Sequence, residues 1–225
     1  MRPRSFSFIH PGHCRKVNED SFYANDQDGL WIVCDGMGGH DDGLYASSLA
    51  TDCFEALELN LDFEGNTNRI IETIHVIKKQ LDKKVSLSKK EVMIGTTLIL
   101  LYIEDNKGFC INAGDSRCYI VRDNTLSLIS MDHTKELINE YGSQTVLTNA
   151  LFSPGDVSID IKKFNVQKED VFLLCSDGLY NSLENKKIKQ AMNLQSIELG
   201  LKSLSNSVLS TNADDNITGI IVGVL

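Results

Sequence analysis

Three stretches of the chain are continuously apolar and each meets a carboxylate at one end. Leu30-Trp31-Ile32-Val33-Cys34 runs into Asp35, Val171-Phe172-Leu173-Leu174-Cys175 leads to Ser176-Asp177-Gly178, and Asp215-Asn216 opens the run Ile217-Thr218-Gly219-Ile220-Ile221-Val222. Such runs read as strands that belong in a core. A carboxylate at the end of a buried strand is costly to desolvate unless it is paired or holds a cation, so several such ends point to one shared metal. Asn18-Glu19-Asp20, ahead of another short strand pattern, joins the set.

The 225 residues fit one large β-rich domain, and we expect a single domain over residues 1–225. Hydrophobic content of 42%, only three prolines and no low-complexity tract argue for one continuous folded body. The formal charge of -9, without clustered Lys and Arg, argues against nucleic acid and an anionic membrane surface as partners. Part of that charge is the motif carboxylates themselves, so a bound divalent cation should relieve repulsion and stabilise the fold. Residues 1–8 lack the apolar core of a signal peptide and no later segment approaches membrane-spanning length, so the expectation is a cytoplasmic protein. The six cysteines form no C-x-x-C pair and mostly sit in apolar runs, which predicts reduced thiols and no structural zinc.

Strand patterns appear at Phe6 to His10, Ser21 to Asn25 and Leu30 to Cys34, followed by helical periodicity from Leu44 to Leu59. Ile70, Ile74, Ile77 and Leu81 define a second, amphipathic helix. Strands return at Thr96 to Ile103, Gly108 to Ala113, Arg117 to Arg122 and Thr125 to Leu128, with Asp123-Asn124 as a tight turn joining the last two as an antiparallel hairpin. A short helix near Lys135 to Tyr141, strands at Val157 to Asn165 and Asp170 to Ser176, helices between Glu184 and Leu209, and a final strand complete the reading. The order is that of an α+β protein in which helices cover β-sheets.

Gly12-His13-Cys14-Arg15-Lys16-Val17-Asn18-Glu19-Asp20, Asp35-Gly36-Met37-Gly38-Gly39-His40, Gly95-Thr96-Thr97, Ala113-Gly114-Asp115-Ser116-Arg117, Asp132-His133-Thr134, Ser176-Asp177-Gly178 and Asp215-Asn216 form an ordered set spanning nearly the whole chain. The set resembles the metal-dependent serine/threonine protein phosphatases of type 2C, in the form seen in bacterial members. That resemblance implies a sandwich of two antiparallel β-sheets flanked by helices on both sides, with two Mn2+ or Mg2+ ions in a cleft at one end. It implies that Asp35 bridges the ions with the Gly36 carbonyl beside it, and that Asp177 and Asp215 complete one ion's shell. Glu19 and Asp20 then contact the cluster partly through its waters, and Arg15 binds phosphate. The implied reaction is direct in-line attack on phosphoserine or phosphothreonine by a water shared between the ions, without a phosphoenzyme. Ligands of carboxylate, carbonyl and water, with neither imidazole nor thiolate, select hard cations, which agrees independently. A planar arginine fork suits bidentate capture of a phosphoryl group. The implied partners are phosphoserine and phosphothreonine proteins, substrates of a cognate serine/threonine kinase.

The chain departs from the resembled pattern at several positions. Met37 stands where animal relatives carry the histidine proposed as general acid, and His40 is the candidate to replace it. Asp115 matches a residue that helps hold a third, weaker ion, but Asn181 stands where its aspartate partner would be, so a neutral amide weakens that site. Leu44-Tyr45 replaces a glutamate and a small residue. The short connection from Asp132-His133-Thr134 to Leu147-Thr148-Asn149-Ala150-Leu151 implies a reduced flap beside the cleft. His133 reads as structural. Three other readings compete: a cysteine phosphatase built on His13-Cys14, whose required arginine position is occupied by Asp20; a non-catalytic phosphoprotein-binding module of the same fold; and hydrolysis of small phosphate esters, which an open, flap-poor cleft would admit.

Overall fold

Strands apolar on both faces need cover on both sides, and the chain supplies it with two sheets and two helical layers. The computed structural model describes residues 2–38, 41–88, 93–139 and 142–225. Strands β1 (Pro3–His10), β2 (Asp20–Asn25) and β3 (Leu30–Met37) are followed by helices α1 (Asp41–Glu55) and α2 (Phe63–Leu87). Next come β4 (Ile94–Thr96), β5 (Leu98–Glu104), β6 (Lys107–Ala113), β7 (Arg117–Arg122), β8 (Thr125–Leu128), β9 (Thr134–Asn139), β10 (Gly142–Leu147), β11 (Leu151–Ser153), β12 (Asp160–Asn165) and β13 (Val171–Cys175). Helices α3 (Asp177–Tyr180), α4 (Asn185–Met192) and α5 (Ile197–Leu209) precede the last strand, β14 (Ile217–Val224).

One sheet runs β1-β14-β13-β7-β8 and the other β11-β4-β3-β5-β6-β12 with β2 also on β3, all pairings antiparallel. Strand alternation explains the three buried clusters. Trp31, Val33, Ile99 and Leu101 face Phe172, Leu174, Ile220 and Val222 between the sheets. Leu30, Ile32, Leu100 and Phe109 face outward onto Phe54 of α1 and Ile70, Ile74, Ile77 and Leu81 of α2. Leu173, Ile217 and Ile221 take the opposite outer face under Ile188 of α4 and Leu201, Leu204 and Val208 of α5. The α+β class and the helix-flanked sandwich expected from the sequence are observed.

Three local expectations are corrected. Of the segment predicted as a helix near Lys135 to Tyr141, Lys135 to Asn139 lie in β9, paired with β10 from Thr134↔Leu147 to Asn139↔Gly142, while positions 140 and 141 lie outside the described residues. Its helix-forming residues are overridden because the hairpin satisfies their backbone groups across the strands, and its root is closed by Thr148 N–H donating to the His133 carbonyl at 2.7 Å. The first helix occupies Asp41–Glu55 rather than Leu44 to Leu59, since Leu57 and Leu59 pack onto the same core from the chain that follows it. The single strand expected from Thr96 to Ile103 is broken at Thr97, whose N–H donates to the Asp35 carbonyl at 2.8 Å. The expected Asp123-Asn124 turn joins β7 to β8, with φ of 50° and 56°, the left-handed pair that a type I′ hairpin requires.

At the end of the sandwich defined by the β7-β8 turn and the start of β13, Asp170 is 1% exposed and accepts from Arg122 Nε at 2.7 Å and Nη2 at 2.6 Å, and from the Gln167 N–H at 2.7 Å. Removing the carboxylate leaves the Gln167 N–H without its acceptor and the guanidinium with its bond from Nη2 to the Asn165 carbonyl at 2.9 Å. Asp170→Ala is therefore expected to lower the free energy of unfolding by about 2–4 kcal/mol in a urea titration, the Arg122 side chain regaining part of its hydration.

Candidate metal centre

The acidic cluster is assembled by strand register and helix start. Asp20 and Asp35 stand directly opposite each other in the β2–β3 pair. The Thr97 break fixes Asp35 further, since the Asp35 N–H donates to Thr97 Oγ1 at 2.9 Å and Thr96 Oγ1 donates to the Asp35 carbonyl at 3.0 Å. Asp177 is the first residue of α3, and Asp215 lies two residues before β14, which pairs with β13. Asp115 sits in the loop between β6 and β7. The chain crosses itself closely at Gly36 and Gly178: a Cβ at Gly36 would lie 2.1 Å from the Gly43 carbonyl oxygen and one at Gly178 2.1 Å from that of Asn216. Only glycine admits these approaches.

Burial, followed by the charges of Asp20, Asp177, Asp115 and Asp215, raises the Asp35 carboxyl well above the ordinary range. Asp177 is pushed up to about 7 by burial and then by Asp115, Asp215 and Asp20. Asp20 rises to about 6, chiefly through burial, although Thr218 and Ser176 donate to its Oδ2 at 2.7 and 2.8 Å and pull the other way. Its other oxygen, Oδ1, is buried without a hydrogen-bond partner. An acceptor left over in a crowd of like charges suits a hard cation, and no imidazole or thiolate belongs to this set. Among the described residues no three carboxylate, imidazole or thiolate side chains close around one point as a complete ligand cage. Magnesium-type ions accept this, because they keep several waters and need one or two carboxylates each.

Glu19 lies against α1, where a Cβ on Gly43 would come within 2.6 Å of its Oε1, and its carbonyl accepts from the Gly36 N–H at 3.1 Å. Arg15, 54% exposed, donates to Asp215 Oδ2 at 3.0 Å and feels the charges of Glu19 and Asp35. The structure thus brings Arg15, Glu19, Asp20, Asp35, Gly36, Asp115, Asp177 and Asp215 to one end of the sandwich. His40 lies outside the described residues. His133 is held structurally: Nδ1 accepts from the Gly114 N–H at 3.1 Å and Nε2 pairs with Asp160 at 3.0 Å. Asn181 donates to Asp177 Oδ2 at 3.3 Å. Tyr45 is 36% exposed and lies under the Lys84 ammonium, 4.4 Å from the ring centre.

Sequence reasoning missed the supports. Asn216 holds the N-terminal loop to the last strand: its Oδ1 accepts from the Glu19 N–H at 2.8 Å, and its Nδ2 donates to the Pro11 and Val17 carbonyls, each at 3.1 Å. Ser176 and Thr218 hold Asp20, and Thr97 and Ser116 join their hydroxyls at 2.7 Å. Ser176, Asn216, Thr97 and Ser116 all lie inside the motifs quoted above, which was their only signal.

Two antiparallel sheets between helical layers, with a carboxylate cluster at one end, set the class of α+β sandwich to which the chain belongs. The chain belongs to the protein phosphatase 2C family, whose model matches residues 13–213. It is 28% identical over 231 residues to the serine/threonine phosphatase stp of Listeria welshimeri, covering 94% of this chain and 92% of that one. Among solved structures, it is similar to PppA, described as a key regulatory component of T6SS in Pseudomonas aeruginosa, with TM-score 0.91, 29% identity and coverage of 100% and 99%. The catalytic domain of the serine/threonine phosphatase PstP in complex with two manganese ions matches with TM-score 0.81, 26% identity and coverage of 98% and 97%.

Because the folded carboxyls of Asp20 and Asp177 titrate near 6 and 7 while unfolded ones titrate near 4, the metal-free folded state holds their protons more tightly. The stability that these two groups contribute is therefore fully present below about pH 4 and is lost as pH rises through 6 to 7. Chemical unfolding in chelator should give a stability at about pH 5 that exceeds that at about pH 7.5 by on the order of 2–4 kcal/mol, and added Mn2+ should abolish the difference.

Proposed function

We propose that this protein is a Mn2+- or Mg2+-dependent protein serine/threonine phosphatase, with the whole chain forming one catalytic domain and the β9–β10 hairpin as its reduced flap. The observation that carries this reading is the gathering of Asp20, Asp35, Asp115, Asp177 and Asp215, from separate parts of the chain, at one end of the sandwich with Arg15 beside them. Asp35, Asp177 and Asp215, with the Gly36 carbonyl, Glu19 and Asp20, would hold two ions. When bound, such a pair activates water and neutralises charge developing on the phosphoryl oxygens.

The remaining steps fall to the chain's own groups. Arg15 captures the phosphoryl group with its planar fork; its bond to Asp215 keeps the guanidinium turned toward the cluster while leaving it more than half exposed to an incoming substrate. Such an exposed pair is worth about 0–1 kcal/mol, so a dianionic phosphate can compete for the fork. His40 is the candidate to donate the proton to the leaving alkoxide, since Met37 carries no titratable group. Asp115 with Asn181 would offer a third ion a weaker site, because the amide adds no charge and donates to Asp177. The substrates are phosphoserine and phosphothreonine proteins made by a serine/threonine kinase, and the setting is the cytoplasm. Among the described residues no helix is long and apolar enough to cross a membrane.

Phosphate release from a phosphothreonine peptide should require Mn2+ or Mg2+, stop with chelator, and fall by at least about 100-fold in Asp35→Asn, as for loss of a central charge-stabilising group. Absence of turnover with either metal, with phosphopeptide binding retained, would replace the enzyme with a binding module. Cys14 is exposed, and its hydrogen bond to Asp214 at 3.5 Å raises its thiol pKa rather than favouring a thiolate. Cys14→Ser should accordingly retain turnover within about two-fold of the unmodified protein in the same assay, as expected for a surface substitution.

A further inference from the structure

Asp115 and Asp177 reach the cluster from different elements, and like charges that close need a scaffold to hold them. Asp115 is among the groups that push the Asp177 carboxyl upward. The loop carrying Asp115 is tied to the sheet that holds Asp35 through the Thr97–Ser116 hydroxyl pair, and to His133 through two bonds at Gly114: its N–H donates to Nδ1 at 3.1 Å and its carbonyl accepts from the His133 N–H at 2.9 Å. The tie to the element carrying Asp177 is a tyrosine. Tyr180 is the last residue of α3, the helix that Asp177 opens, and its hydroxyl donates to the Asp115 carbonyl at 3.0 Å.

The ring is in turn fixed from beneath. The Arg117 guanidinium lies over it, with Cζ 3.6 Å from the ring centre. That guanidinium is itself clamped: Nε donates to both Asp132 oxygens at 3.1 Å, Nη2 to Oδ2 at 2.7 Å, and Nη1 to the Tyr119 hydroxyl at 2.9 Å. A planar fork with Nε, Nη1 and Nη2 all engaged has little freedom left, so the face it offers to the ring is a rigid one. The buttress therefore runs Asp132, Arg117, Tyr180, Asp115 on one side and down one turn of α3 to Asp177 on the other.

We propose that Tyr180 is a positioning residue that sets the spacing of Asp115 and Asp177, and through it the affinity of the divalent cation site which that pair borders. This inference rests on the metal-dependent reading above. It assigns to Tyr180 no contact with substrate or metal; the residue acts through a backbone carbonyl and a helix start.

The test is calorimetric titration of Mn2+ into chelator-treated full-length protein, alongside melting of the same metal-free samples. Tyr180→Phe keeps the ring on Arg117 and removes only the hydroxyl, and is expected to weaken the weakest resolved manganese step about five-fold, the worth of one ordinary hydrogen bond, with the metal-free melting temperature unchanged within about 3 °C. Tyr180→Leu removes ring and hydroxyl and should weaken that step at least about 20-fold, adding loss of the cation–ring contact. Tyr119→Phe, which removes one partner of Arg117 but leaves its bonds to Asp132 and the Tyr180 hydroxyl bond to Asp115 in place, should weaken that step by less than Tyr180→Phe does. Equal affinities in Tyr180→Phe, Tyr180→Leu and unmodified protein, with Asp115→Asn weakened, would overturn the role of Tyr180 alone; no manganese binding by the unmodified protein would overturn the metal reading and this inference with it.

Discussion

Repulsion among carboxylates at one end of the sandwich is the constraint around which the rest of the molecule is arranged. Burial, and then the charges of neighbouring carboxylates that include Asp115 and Asp215, raises the proton affinity of Asp20, Asp35 and Asp177. Left to itself such a cluster would spread. It is held by covalent proximity to deeply buried strands: β3, β13 and β14 each have both faces covered, so their ends cannot shift without disturbing apolar packing.

Hydrogen bonds finish what packing begins. The charged side chains are reached mostly through neutral neighbours: Ser176 and Thr218 on Asp20, Thr96 and Thr97 on the Asp35 backbone, and Asn216 on the backbone of Glu19. Neutral donors restrain a carboxylate without cancelling its charge, as a counter-ion would. Full cationic pairing is kept at the margins: Arg117 with Asp132, Arg122 with Asp170 at the far end, and Arg15 reaching Asp215 from the solvent side. The supports of the cluster thus bring no competing cation to it, which is the arrangement that the proposed dication site requires.

The N-terminal loop shows how distant pieces of chain become one site. Glu19 and Arg15 belong to a segment with little regular structure, yet Asn216 gathers the Pro11 and Val17 carbonyls and the Glu19 N–H onto the strand that follows Asp215. A loop tied by one amide at three points is far less mobile than its length implies. Leu44-Tyr45, the departure for which the sequence offered no interpretation, now has a physical place: the tyrosine ring lies exposed on α1 beneath Lys84.

Most of the acidic residues and the core strands were legible from the chain alone, because apolar runs ending in carboxylates leave few physical options, and the ordered motifs tied them to a fold. The β7–β8 turn was legible because Asp and Asn tolerate positive φ. The helix expected at Lys135 was wrong because local propensity there is weak against cross-strand pairing, which is a property of two segments rather than one. Which neutral side chains hold each carboxylate, the break at Thr97, and the stacking of Tyr180 on Arg117 depended on contacts between residues dozens of positions apart. Sequence determined which residues carry charge and which must be buried; only the tertiary structure decided which charges meet, because strand register and sheet packing, not spacing along the chain, fix those distances.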